Sequence, residues 1–149
     1  MTTVSTSARR KARHYAMQAI YQWQISQAAL NVIEAEFHTD NDMSKVDTDY
    51  FHELLHGIVQ HLGDIDGAFA PFLQQRSLEE LDPITRALLR LGTFELQHRL
   101  DVPYKVVINE AVALAKKFGA TDSHKFINGV LDKTSATTRA VERRADKSS

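Results

Sequence analysis

Not one of the 149 residues is a cysteine. That absence excludes disulfides, thiolate metal sites and a cysteine nucleophile together, and it fits a reducing compartment. Long apolar runs are missing too, so no segment reaches membrane-spanning length. The opening stretch MTTVSTSARRKAR turns basic without the apolar core of a secretory signal. A cytoplasmic protein with no membrane partner is expected. There is no Gly-rich phosphate loop, no G-x-S-x-G, and no alternating strand pattern of useful length. What is present, 43% apolar and 25% charged residues, suffices for one domain with a real core and is too short for two full-sized ones.

The net charge of -1 hides an uneven distribution. Residues 1–33 hold four basic side chains, Arg9, Arg10, Lys11 and Arg13, and no acid. Residues 34–132 hold 17 acids against 9 basic residues, and the tail from 133 is basic again. Charge separated in this way suggests a polyanion at the basic terminus and a basic protein on the acidic body.

The pattern predicts an all-α fold. From Ser7 as N-cap to about Gln27, small and apolar residues recur on one face at Ala12, Ala16, Ala19, Ile20 and Trp23. Asn31 to His38 can form a short second helix. After the polar loop TDNDMSKVDTD, one stripe runs through Phe51, Leu54, Leu55, Ile58, Leu62 and Ile65, with Gly63, Gly67 and Pro71 available to bend or end it. Asp82 before Pro83 starts another helix, and Asp101 to Pro103 breaks it. Val107, Ala111, Leu114 and Phe118 form the next face, closed by Gly119; Thr121 to Ser123 cap HKFINGVLDK. The weakly apolar tail from about 134, like residues 1–7, is expected to be frayed.

Residues 52–56 read HELLH, the spacing with which a zinc hydrolase places two imidazoles on one helical face beside a general base. On a wheel of about 100° per residue, His52 and His56 fall at the edge of the apolar stripe and His61 points well away from both. A distant carboxylate such as Glu79 or Glu80 is the third ligand such a site would need, and nothing in the sequence requires it. The pair is read as boundary histidines, with no metal and no cofactor.

The segment ARRKAR resists a bland reading. Positive side chains in a first helical turn oppose the helix dipole, each at a cost of a few tenths to about 1 kcal/mol. A phosphate backbone would account for them, since arginine bridges phosphates and stacks on bases. Tyr15 and Tyr21 offer stacking faces nearby, while Trp23 lies on the apolar stripe.

ARRKARHYAMQAIYQWQIS, followed by DVPYKVVINEAVALAKKFGATDSHKFINGVLDK, resembles the NusB family of bacterial transcription antitermination factors. The likeness covers residues 8 to 133, and its most specific block runs from Val102 to Lys133. The resemblance implies a single all-helical domain of two packed three-helix sub-bundles and no enzymatic activity. It implies binding of the boxA element of ribosomal-RNA leader transcripts together with ribosomal protein NusE, in a complex with NusA, NusG and RNA polymerase. Arg9, Arg10, Lys11 and Arg13 fall on the family's arginine-rich motif, with Lys11 ranked below the arginines because it lacks the planar fork. Tyr21 is grouped with them. Phe118, Asp122, Lys125 and Phe126 fall in a region tied to RNA contact, and Glu79 and Glu80 of SLEELD fall near the NusE surface. Some members form homodimers that occlude the RNA motif; whether this chain does stays open. Similar domains precede RNA cytosine methyltransferases, but this chain has neither their Gly-rich domain nor their cysteine. A pure scaffold using the acidic face is the other non-RNA alternative.

Overall fold

The computed structural model describes residues 5–148. Among them every regular element is helical: α1 (Thr6–Ser26), α2 (Leu30–Asp40), α3 (Thr48–Gln60), α4 (Leu62–Phe69), α5 (Pro83–His98), α6 (Tyr104–Phe118), α7 (Ser123–Thr138) and α8 (Ala140–Ser148). Helices α1, α2 and α3 pack on one another, as do α5, α6 and α7. Contact between α1 and α5 joins the two groups, and α4 leans on α5 and α7.

Helix α5 is the axis of the molecule. Asp82 caps it, accepting from the Thr85 N–H at 2.9 Å, and Pro83 occupies the first turn, as the sequence predicts. Its span from Ala87 to Leu96 is buried without interruption, so it has neighbours on every side. Gly92 permits that: a Cβ there would come within 2.8 Å of the Leu131 side chain of α7. Two charged residues go inside with it and each finds a partner. Arg90 forms a fork with Asp66 at 2.9 Å through both nitrogens and donates to Gln24. Glu95 receives Arg13 from α1.

Three boundaries differ from expectation. Ser5, not Ser7, caps α1, accepting from the Ala8 N–H at 3.0 Å. The stripe from Phe51 to Ile65 is divided at His61, which ends α3 and begins α4 outside helical geometry, so the break precedes Gly63. The third difference is the tail. Residues 1–4 of the expected N-terminal fray lie outside the described residues, but the C-terminal stretch is helical. Helix α7 continues to Thr138, and α8 follows.

The tail is held by polar contacts. Arg139 is buried, and its guanidinium donates to the carbonyls of Leu96 (2.8 Å), Glu95 (3.1 Å) and Arg99 (2.9 Å) at the end of α5. The Glu95 and Arg99 carbonyls also accept the Arg99 and Val102 N–H groups, whereas Arg139 supplies the donor for Leu96, and a cation at this helix end suits the dipole. At the start of α6, where Pro103 has no capping side chain, Glu142 accepts from the Tyr104 N–H at 3.0 Å. Two helix ends are thus finished by residues of the tail.

Candidate nucleic-acid interface

The four basic residues at the start of α1 do not form one exposed patch. Arg13 is 3% exposed, and its Nε and Nη2 donate to the two Glu95 oxygens at 2.8 and 2.9 Å. The Tyr50 hydroxyl donates to the same carboxylate. Burial and the neighbouring Glu95 charge push the Tyr50 hydroxyl well above its ordinary range, so it stays a donor. Burial works against the Arg13 charge, yet Glu95 outweighs it and raises the Arg13 pKa.

Arg9 is partly covered. Its Nη1 lies 3.2 Å from Asp101, and its guanidinium sits 4.6 Å from the centre of the Tyr50 ring, which also receives Arg13 and Arg99 at 5.5 and 4.9 Å. Asp101 in turn holds Arg99, and that bond, with Arg9 beside it, keeps its carboxyl far below the usual range. This knot joins α1, α3 and the loop after α5. Arg10 reaches Glu110 of α6 at 2.8 Å while leaving 65% of its side chain in solvent. Lys11 is exposed, and no acidic group lies within ion-pair distance of it among the described residues. It borders a depression of about 680 Å³ with Ser5, Ser7 and Lys45. Exposure therefore reverses the ranking that side-chain chemistry suggested: Arg10 and Lys11 face outward, and Arg13 is internal.

From Arg10 the outward face of α1 continues one turn at a time through His14, Gln18 and Tyr21 to Ile25. Helix α6 supplies the opposite wall. Lys117 Nζ lies 3.5 Å from His14 Nδ1, and the Phe118 ring is 5.1 Å from the His14 ring. Burial first, then Lys117, lowers the His14 pKa, so the imidazole is neutral at pH 7. Tyr21 and Phe118 line one open groove of about 430 Å³ with Phe37 and Ile84. An unpaired base can stack in such a groove while its phosphates meet Arg10, Lys11 and Lys117.

The remaining candidates stand apart from this groove. Gly119 ends α6 in extended rather than left-handed geometry; a Cβ would meet Ser123 Oγ at 2.4 Å and the Ala115 carbonyl at 2.7 Å. Asp122 is the N-cap of α7 with φ of 66° but caps no N–H with its side chain; it pairs with exposed Lys125 at 3.4 Å. Phe126 packs against the core, with the Arg76 guanidinium 4.8 Å above its ring. Glu79 and Glu80 are exposed on the 3-10 turn Leu78–Glu80. Glu80 closes a capping box with Ser77, whose backbone N–H holds the Glu80 pKa down. Glu79 borders a separate cavity of about 400 Å³ with Trp23, Arg86 and Arg90.

Sequence reasoning missed Glu95, Tyr50, Asp101 and Glu110, the partners of the arginines. Glu95 left a signal, a lone acid among Leu91, Phe94 and Leu96, which a buried helix tolerates only opposite a cation. The others left none.

The family model described as NusB family matches residues 10–136. The transcription antitermination protein NusB of Teredinibacter turnerae is 65% identical over 145 residues, covering 97% of this chain and 99% of its own. Among solved structures, T. maritima NusB superposes with a TM-score of 0.75 at 31% identity, covering 91% of this chain and 92% of its own. A structure of antitermination factors NusB and NusE in complex with double-stranded RNA superposes with a TM-score of 0.75 at 25% identity, covering 89% and 99%. The chain belongs to the NusB family of transcription antitermination proteins, which are not enzymes.

Proposed function

We propose that the chain is an RNA-binding adaptor that recognises the boxA element of nascent ribosomal-RNA leader transcripts. It does so together with ribosomal protein NusE, in a cytoplasmic complex with NusA, NusG and RNA polymerase, and supports processive transcription. The observation that carries the reading is the continuous face from Arg10 and Lys11 to the groove of Tyr21 and Phe118. It joins phosphate-binding cations to stacking surfaces, the combination that single-stranded RNA requires. The related structure of NusB and NusE solved with double-stranded RNA supports NusE and an RNA as the classes of partner.

In this reading Arg10 and Lys11 neutralise phosphates, Tyr21 and Phe118 stack, and Arg9 and Arg13 fix the helix that presents them. Lys125, with Asp122 and Phe126, extends the contact at the start of α7. Glu79 and Glu80 attract the basic partner. The test is RNA titration of single variants across a salt series. Arg10→Ala and Lys11→Ala should each weaken binding and reduce the log–log salt slope by about 0.7, the value for one single-strand phosphate contact. An unchanged slope in both would remove the predicted contacts. Charge reversal at Glu79 and Glu80 should weaken NusE binding more than RNA binding; the opposite order would remove that surface.

A further inference from the structure

The arginine knot and the groove leave HELLH unexplained, and the structure supplies what the sequence did not. Glu34 of α2 reaches across to both histidines of α3. Its Oε2 lies 2.7 Å from His52 Nδ1 and its Oε1 lies 2.9 Å from His56 Nε2. The two imidazoles stack with centroids 4.1 Å apart, and one donor atom from each of the three residues lies within 4.8 Å of the others. Glu34 is mostly covered, with 17% of its side chain exposed, whereas His52 opens to solvent at 59%. Burial alone would raise the Glu34 carboxyl, but the bonds to His56 and His52 hold it below its ordinary range.

We propose that Glu34, His52 and His56 bind a single Zn²⁺ ion that staples α2 to α3. Two imidazole nitrogens and one carboxylate converging from two helices are a donor set for a borderline divalent ion, and solvent at His52 leaves room for water as the fourth ligand. Zn–N bonds of about 2.0–2.1 Å at tetrahedral angles separate neighbouring donors by about 3.3 Å. The two imidazoles now hold different Glu34 oxygens, so side-chain rotation must bring donors that lie within 4.8 Å of one another closer by up to about 1.5 Å. No co-reactant is needed. The ion takes the place of the hydrogen bonds between Glu34 and the two rings: each ligating nitrogen gives up any proton it carries, to the ring's other nitrogen or to solvent.

The site is not that of a hydrolase. Glu53, which would activate the metal-bound water in an H-E-x-x-H enzyme, is held by Arg99 Nη1 at 3.0 and 2.9 Å. The leverage is structural. Helix α2 has a single fully buried side chain, Ile33, and Ala29 at its N-cap offers no capping bond. Phe37, one turn beyond Glu34, lines the groove shared by Tyr21 and Phe118, so fixing α2 also fixes a wall of that groove.

Calorimetric titration of the tag-free full chain with ZnCl₂ tests the proposal. One ion per chain should bind, and His52→Ala, His56→Ala and Glu34→Gln should each lower affinity at least ten-fold while circular dichroism shows the helices intact. His61→Ala and His98→Ala alter the other two imidazoles of the adjoining cavity and should leave the affinity unchanged. Zn²⁺ should slow amide exchange on α2 in the parent chain and not in His52→Ala. No saturable binding, binding that survives His52→Ala, or binding lost with His61→Ala or His98→Ala would each overturn it. RNA titration plays no part in this result, so it stands or falls apart from the adaptor reading.

Discussion

Removing the guanidinium of Arg13 strands the Glu95 carboxylate and the Tyr50 hydroxyl inside the protein. Loss of one member of a buried ion pair costs about 3–5 kcal/mol, so Arg13→Ala should lower unfolding free energy in urea by that order. Lys11→Ala, on an exposed position without an ion-pair partner, should fall within about 0.5 kcal/mol of the parent. Comparable losses in both variants would contradict the division between an internal and an outward-facing cation. Asp101 adds a pH signature. Its folded pKa is depressed by Arg99 and Arg9, so the stability it confers is present above the ordinary carboxylate pKa and is lost as pH falls toward the folded value. The gap in melting temperature between the parent chain and Asp101→Asn should therefore be wide at pH 7 and narrow progressively below about pH 4. A gap independent of pH would place the effect elsewhere than in this charge.

The helices were legible wherever apolar residues recur at helical spacing. Asp82 and Pro83 announced α5, and the faces of α1, α3 and α6 carried the 3.6-residue period that packing demands. The tail was not legible for the same reason inverted: α8 is anchored by Arg139 and Glu142 through hydrogen bonds to the ends of α5 and α6, and hydropathy is blind to those. Arg139→Ala should cost about 1–3 kcal/mol, because the Leu96 carbonyl at the end of α5 loses its donor. Hydrogen exchange should report faster opening of the last turn of α5 and the first turn of α6. Exchange confined to α8 would mean that the tail caps nothing. At the crossing of α5 and α7, Gly92→Ala should destabilise despite alanine's better helix propensity, since its Cβ would meet Leu131 at 2.8 Å.

At the scale of the whole molecule, charge composition located the basic end of α1 but gave no view of how its cations divide. The pattern ARRKAR shows four equal charges; only the fold pairs Arg13 with Glu95, Arg9 with Asp101 and Arg10 with Glu110. These partners lie far away in sequence, where helical periodicity carries no information. Likewise Tyr21 and Phe118, 97 positions apart in the chain, meet in one groove because α1 and α6 both pack on α5. Phe126, like Phe118, packs partly buried against the core, but beneath Arg76 and outside that groove.

The central claim is that this face reads RNA in concert with a protein partner. Fluorescence anisotropy with a boxA-like RNA and a scrambled control, each with and without NusE across a salt series, tests it most directly. The account predicts tighter binding to boxA, a preference that grows when NusE is present, and affinity that falls as salt rises. Equal, weak binding to both RNAs under every condition would contradict it.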